Sequence, residues 1–257
     1  MAILIDPPTW PAHGHLWSHV ISDTSLEELH AFAQAAGIPE RSFEGDHYDV
    51  PGERHAELVA AGALPVGNRE LARVLRASGL RFRKRKGERP LGRVVDGLPA
   101  VGAPHVLDIV ASPHEPLSRA GASVVLVADP SDWMVLVRSV GRPGWAPPGG
   151  KRDSGETPRS SAVREVAEET SLLLDPSALV PVGYERVTIA KGHVVAAPWE
   201  AGDNHIAVFG ARVAHRAVVR PRADDVVEAE WVDRRTLTAR CSGQAWWPLV
   251  DRFLSLS

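Results

Sequence analysis

Over the first 80 residues, short apolar runs alternate with stretches of helical period. AILI at 2–5 has the profile of a buried strand. DTSLEELHAFAQAAG at 23–37 opens with Thr24 followed three residues later by Glu27, a capping pattern, and closes at Gly37. RSFEG at 41–45 is a second strand candidate. GERHAELVAAG and NRELARVLRASG predict two further helices, each closing at a glycine, with ALPV between them. Such alternation favours a small α/β unit, residues 1–80, with parallel strands. Residues 81–121 break the rhythm: the charge run RFRKRKGER leads into stretches rich in Pro and Gly, which predict a linker carrying one strand at HVLDIVA.

From residue 122 to 257 strand patterns dominate. ASVVLVAD and WMVLVRSV flank the turn sequence DPSD and predict a hairpin. VPVGYERVTIA, HIAVFGARVA and VVEAEWV are further strands, the last with Val226, Glu228 and Glu230 alternating against Val227, Ala229 and Trp231. A helix at 158–170 interrupts them, and QAWWPLVDRFLSL predicts a closing helix. There is no internal repeat and no low-complexity tract.

Composition narrows the classes. The 257 residues, 44% hydrophobic, suffice for one large domain or two small ones. A net charge of −3 argues against membrane or stable nucleic-acid binding by bulk charge, and the basic run at 81–89 reads as solvated linker. The single cysteine, Cys241, excludes an internal disulfide framework, suits a reducing compartment and reads as a buried small hydrophobe. The opening MAILIDPPTW lacks a basic leader with a long apolar core, and no apolar stretch is long enough to span a bilayer, so a soluble, cytoplasmic protein is expected.

The helix at 158–170 carries the chemistry. Thr157-Pro158 is a hydroxyl cap followed by proline at the first helical position. On a 3.6-residue period Val163, Val166, Ala167 and Thr170 share one face, while Glu165, Glu168 and Glu169 gather on the other with no lysine among them. Neighbouring like charges cost roughly 0.2–0.5 kcal/mol per pair, and the C-terminal end of a helix dipole disfavours anions further. A divalent cation would remove both penalties, and an all-oxygen donor set suits Mg²⁺ or Mn²⁺ rather than Zn²⁺.

The flanks extend the pattern: Gly150, five residues, Glu156, seven residues, then Arg164-Glu165-Val166-Ala167-Glu168-Glu169-Thr170-Ser171-Leu172. This resembles the signature box of the Nudix hydrolases, matching every defining position except Ser171, where glycine is usual. The preceding WAPPGGK resembles the strand and loop that lead into that box, and the resemblance covers 122–257. It implies an α/β/α sandwich with a mixed sheet, binding Mg²⁺ or Mn²⁺ and cleaving a pyrophosphate linkage. It further implies that Glu165, Glu168 and Glu169, with the carbonyl of Gly149, hold metal, and that Arg164 fixes Glu156. The catalytic base in this family is a box glutamate or one from a later loop; here Glu165 comes first, with Glu228 and Glu230 as later candidates. A serine at position 171, where a left-handed backbone is expected, costs roughly 1 kcal/mol and removes no ligand.

Substrate identity stays open. Thr188 stands where a proline or tyrosine would point to ADP-ribose or dinucleoside polyphosphates. Arg138, Arg142, Lys151 and Arg152 are candidates to meet phosphates, and Trp133, Trp145, Tyr184 and Trp199 to stack on a base. A nucleoside diphosphate or triphosphate derivative is the expected class of small-molecule partner. The rival expectation is a nucleotide-sensing module that regulates the first unit.

In that first unit Asp6, His13, His15, His19, Asp23, Asp46, His47, Asp49 and His55 crowd two short stretches. Six of the nine could in principle ligate a metal, but the spacing matches no metal motif, and a polar loop of capping aspartates and satisfied histidines is the favoured reading. WPAHGHLWSH, the DTSLEELH helix and HYD resemble a small bacterial domain of unknown function, which implies a separately folding unit fused to the hydrolase.

Overall fold

A computed structural model describes residues 1–256, which divide into two compact units, the first Met1–Arg85 and the second beginning at Lys86. In the first, β1 (Ile3–Ile5), β2 (Trp10–Ala12), β3 (His15–Ser22), β4 (Tyr48–Pro51) and β5 (Leu64–Pro65) form one sheet with α1 (Leu26–Ala35), α2 (His55–Ala60) and α3 (Asn68–Ala77). The α/β reading holds, but the strand direction does not. β1 runs parallel to β5 alone, whereas β3 pairs antiparallel with β1, β2 and β4. Three strands go beyond the sequence pattern, β2, β3 and β4; the longest, HLWSHVIS, alternates polar and apolar positions, but its histidines mask the pattern. RSFEG is not a strand; its first two residues belong to a turn of 3₁₀ helix, Glu40–Ser42, and Phe43 makes a single bridge to Tyr48. The cap of α1 lies one residue later than expected, with Ser25 Oγ accepting from Glu28 N at 3.2 Å.

The second unit begins with β6 (Arg89–Val95) and β7 (His105–Ala111). These two strands correct the linker reading of 81–121, because both join the sheet of the second unit. Pro90 sits at the start of β6, on a sheet edge, where its missing N–H costs little. The remaining strands are β8 (Ala122–Ala128), β9 (Met134–Ser139), β10 (Gly149–Lys151), β11 (Val180–Ile189), β12 (Gly202–Arg212) and β13 (Val226–Val232); the helices are α4 (Pro158–Thr170), α5 (Arg234–Cys241) and α6 (Trp247–Leu254). Strand order is β13-β9-β8-β12-β11-β7-β6, with β10 paired to β8. The sheet is mixed: β8 and β12 are parallel and the other pairs antiparallel.

Alternation along the central strands creates two cores. Val125, Val127, Ala207 and Phe209 face α4, meeting Ala162 and Val166. Leu126, Leu136 and Val208 face the opposite way onto Leu237 and Cys241 of α5 and Leu249, Val250 and Phe253 of α6. The result is the expected α/β/α sandwich, with α4 pinned by one side of the sheet. Each fully buried Val, Leu or Phe in these layers contributes about 1.5–3 kcal/mol. Among the described residues no helix is long and apolar enough to cross a membrane.

Candidate active site

The turn of chain before α4 is built by complementary caps. Thr157 Oγ1 accepts from Ser160 N at 3.1 Å, and Ser160 Oγ accepts from Thr157 N at 2.8 Å, so the helix start is fixed from both directions. Arg164 then organises the loop. Its Nε donates to Glu156 Oε1 at 2.8 Å and its Nη2 to Glu156 Oε2 at 3.1 Å and to the Lys151 carbonyl at 2.9 Å. Its Nη1 reaches Glu168 Oε2 at 2.9 Å and Glu165 Oε1 at 3.0 Å. This fork holds the Glu156 carboxyl below its ordinary range, while the Glu156 bonds and the neighbouring glutamates push the guanidinium's own pKa up.

The three helix acids are not equivalent. Glu168 is exposed, Glu165 is half-buried, and Glu169 is buried at 5% exposure, turned toward the sheet rather than lying on an open polar face. Glu169 Oε2 accepts from Gly149 N at 2.8 Å, which ties the helix to β10. Burial pushes Glu169 up to about 7, opposed by the Gly149 N–H and reinforced by the charges of Glu165 and Asp225. Burial also raises Glu165, against the pull of Arg164. At Gly150 a Cβ would stand 2.6 Å from the Glu165 carboxylate, so the missing side chain is what leaves room for the acid. Oxygen donors, desolvated and mutually repelling, with an open glycine backbone beside them, suit a hard divalent cation.

Asp225 is the residue that sequence reasoning missed. The loop before β13 folds onto the end of α4, where Arg222 N and Ala223 N donate to the Glu168 carbonyl at 2.7 and 3.0 Å and Arg220 N donates to the Thr170 carbonyl at 2.9 Å. The loop therefore satisfies carbonyls that a helix C-terminus leaves open, and it brings Asp225 close enough to raise both Glu165 and Glu169. Nothing local in the sequence distinguishes Asp225 from its neighbour Asp224. The expected later candidates are instead engaged at the sheet edge: Glu228 accepts from Arg138 Nη2 at 2.6 Å, and Glu230 pairs with Arg240. Position 171 takes the left-handed backbone expected there, at φ 64°, and Ser171 Oγ donates to the Arg220 carbonyl at 2.7 Å.

A cleft of about 690 Å³ runs from Gly149, Gly150 and Lys151 past Arg142 to Trp199 and His205. Of the predicted phosphate ligands, Lys151 and Arg142 line it with free reach, whereas Arg138 is paired with Glu228. Arg152 also lines it but is committed to the carbonyls of Ala120 and Glu156 at 2.7 and 2.6 Å. Of the predicted stacking residues only Trp199 lines the cleft. Tyr184 is buried and donates to Glu88 at 3.0 Å; Trp133 and Trp145 lie against Arg216 and Arg240. Thr188 donates to Asp203, which lines the cleft, at 2.9 Å. A smaller cavity of about 170 Å³ adjoins it, sharing Val124, Arg142, Gly149 and Ile206 and adding Trp246 and Glu185. Glu185 is buried on the central strand β11, and desolvation alone pushes its carboxyl to about 7.

Residues 117–250 match the family model described as the NUDIX domain, about half of the chain and the whole of the site. The chain belongs to the Nudix family. It is a Nudix-type hydrolase, and residues 3–78 match a second family model, described as a protein of unknown function, DUF4031. Among solved structures, the Nudix unit is similar to an Ap4A hydrolase from C. elegans (17% identity, 52% of this chain and 96% of that one, TM-score 0.41). It is likewise similar to a pyrophosphohydrolase from Bacillus subtilis (16% identity, 59% and 91%, TM-score 0.43). A third is the dihydroneopterin triphosphate pyrophosphohydrolase of E. coli (17% identity, 53% and 95%, TM-score 0.43).

Proposed function

We propose that the Nudix unit hydrolyses the phosphoanhydride of a nucleoside diphosphate or triphosphate derivative with the help of Mg²⁺ or Mn²⁺. The observation that carries this reading is the juxtaposition of the buried Glu169 and half-buried Glu165 with the Gly149–Gly150 backbone at the head of a cleft. Glu165, Glu168, Glu169 and the Gly149 carbonyl would hold the metal. A bound divalent cation neutralises phosphate oxygens and lowers the pKa of water. Lys151 and Arg142 bind the phosphate chain from the cleft wall, and Arg164 with Glu156 keeps the loop and helix in register. Glu165 accepts the proton of the attacking water, a role that its raised basicity and position favour. In this reading Asp225 assists in preference to Glu228 and Glu230, a choice supported by its charge bearing on Glu165 and Glu169 and by the pairing of the other two with Arg138 and Arg240.

Retention of all three helix acids favours an enzyme over the second reading, in which this unit senses a nucleotide and regulates the first. The test is incubation of the full chain with Mg²⁺ or Mn²⁺ and a panel of nucleotide derivatives, repeated with Glu169→Gln. Release of phosphate or monophosphate is expected to fall about a hundredfold or more in the variant. Equal rates in parent and variant would overturn the assignment; tight nucleotide binding without turnover in the parent would favour the sensor.

A further inference from the structure

The histidines of the first unit, read from sequence as a polar loop, converge. His19 on β3 lies directly across from Asp49 on β4, and His47, two residues before Asp49, projects from the same side of that strand. His19 Nε2 and His47 Nε2 stand 3.6 and 3.3 Å from Asp49 Oδ1, and the three ligand atoms lie within 4.8 Å of one another. Asp49 Oδ1 is buried, yet it accepts a hydrogen bond from neither ring. The three atoms are close enough together to share one ion.

What lies behind the rings is equally specific. His19 Nδ1 is held at 2.8 Å by Asp6, and His47 Nδ1 is held by Asp46. Both aspartates are almost fully buried, at 2% and 1% exposure, and both are themselves anchored. Asp6 also accepts from His19 N at 2.5 Å and from Trp10 Nε1 at 3.3 Å, and Asp46 accepts from Phe82 N at 2.5 Å. A carboxylate on Nδ1 fixes the tautomer in which Nε2 carries the lone pair, and it raises that nitrogen's donor strength. Two imidazoles, each backed by a buried carboxylate, and the Asp49 carboxylate between them make a donor set for a divalent transition metal. With metal–ligand bonds of about 2.0–2.1 Å in a tetrahedron, donor atoms sit about 3.4 Å apart, which matches the two separations found here.

We propose that His19, His47 and Asp49 form a binding site for a zinc-class divalent cation in the first unit, oriented by Asp6 and Asp46, with a fourth position left to water or a ligand. The site lies within the first unit, and its imidazole donors differ in chemistry from the Nudix acids. Three protein donors with one open position match the composition of catalytic rather than structural zinc sites.

The experiment uses the full chain stripped with chelator and held in excess Mg²⁺, which occupies hard oxygen sites but competes poorly for imidazole. Titration with Co²⁺ is expected to give the intense visible bands of a tetrahedral site at one equivalent, with Zn²⁺ displacing them. His47→Gln or Asp49→Asn should weaken binding by at least about a hundredfold, and Asp46→Asn by roughly 10–100-fold through the ring it orients. Circular dichroism and thermal melting of all three should match the parent, which reports that the first unit is folded, and nucleotide hydrolysis by the other unit should stay at the parental rate. If the parent takes up no Co²⁺ or Zn²⁺ beyond the Mg²⁺-blocked background, the cluster is an imidazolium–carboxylate network and the proposal is wrong. That arm needs no variant. Parental affinity in both His47→Gln and Asp49→Asn would overturn it as well.

Discussion

Arg164 grips Glu156 through two bonds, Nε to Oε1 at 2.8 Å and Nη2 to Oε2 at 3.1 Å, while the same guanidinium reaches Glu165, Glu168 and the Lys151 carbonyl. One planar cation thus sets the relative position of the loop, the helix and two of the helix acids. Its fork geometry is what permits this, since a lysine ammonium offers a compact charge on a flexible stem and cannot span the same acceptors.

Arg164→Lys and Glu156→Gln are therefore each expected to lower the hydrolysis rate by roughly 10–100-fold, the usual cost of losing a residue that orients metal-binding carboxylates. The melting temperature should change little, because the pair lies at the surface of the loop. A rate in Arg164→Lys equal to that of the parent would show that charge alone suffices.

The two box glycines should separate by outcome. The atoms nearest a Cβ at Gly150 belong to the Glu165 carboxylate, at 2.6 Å, which can swing aside. Gly150→Ala should leave a folded protein with a displaced acid, and activity reduced by roughly tenfold or more. A Cβ at Gly149 would press on backbone, the Ser123 carbonyl and Val124 Cα, the latter at 2.7 Å. Gly149→Ala should lose folded protein itself, seen in circular dichroism and soluble yield.

Glu185 predicts a pH signature. Its carboxyl is raised to about 7 by burial, so the folded state prefers the neutral acid. The stability this lends is full below the unfolded carboxyl pKa near 4.3 and is lost as pH rises through about 7. Glu185→Gln removes that loss. Urea unfolding of parent and variant should diverge in favour of the variant between pH 5 and pH 8, by at most about 3 kcal/mol at roughly 1.4 kcal/mol per pH unit of displacement. A difference that stays constant across that window would mean the carboxyl does not titrate there.

Ser171 balances two effects at φ 64°, a strained backbone and a hydrogen bond to the Arg220 carbonyl. Ser171→Gly relieves the first and loses the second, and should be within about 1 kcal/mol of neutral. Ser171→Ala keeps the strain and loses the bond, and should destabilise by about 1 kcal/mol. Thermal melts of the two variants side by side decide it.

Much of the Nudix unit was legible because its message is local. Helix α4 declares itself in Thr157-Pro158 and in the period of its apolar residues, and the fixed offsets from Gly150 to Leu172 lie within one loop and one helix. Backbone hydrogen bonding reproduces such short-range geometry wherever the segment is placed. The same holds for the left-handed residue at 171. Among the strands, β8, β9, β11, β12 and β13 were marked by apolar runs, whereas β6 was hidden by Pro90, Gly92 and the arginines around them. An edge strand needs no buried alternation, so pattern alone could not recover it.

What the sequence by itself determined is the acid-bearing helix, its glycine loop and its arginine clamp, since each rests on residues no more than eight positions from the next. Only the tertiary structure decided that Glu169 is buried, that the charge of Asp225 bears on Glu165 and Glu169, and that His19, His47 and Asp49 meet. Those facts depend on the register between strands and on where a loop returns to cap a helix. Burial and electrostatic proximity are sums over distant parts of the chain, and no local spacing encodes them.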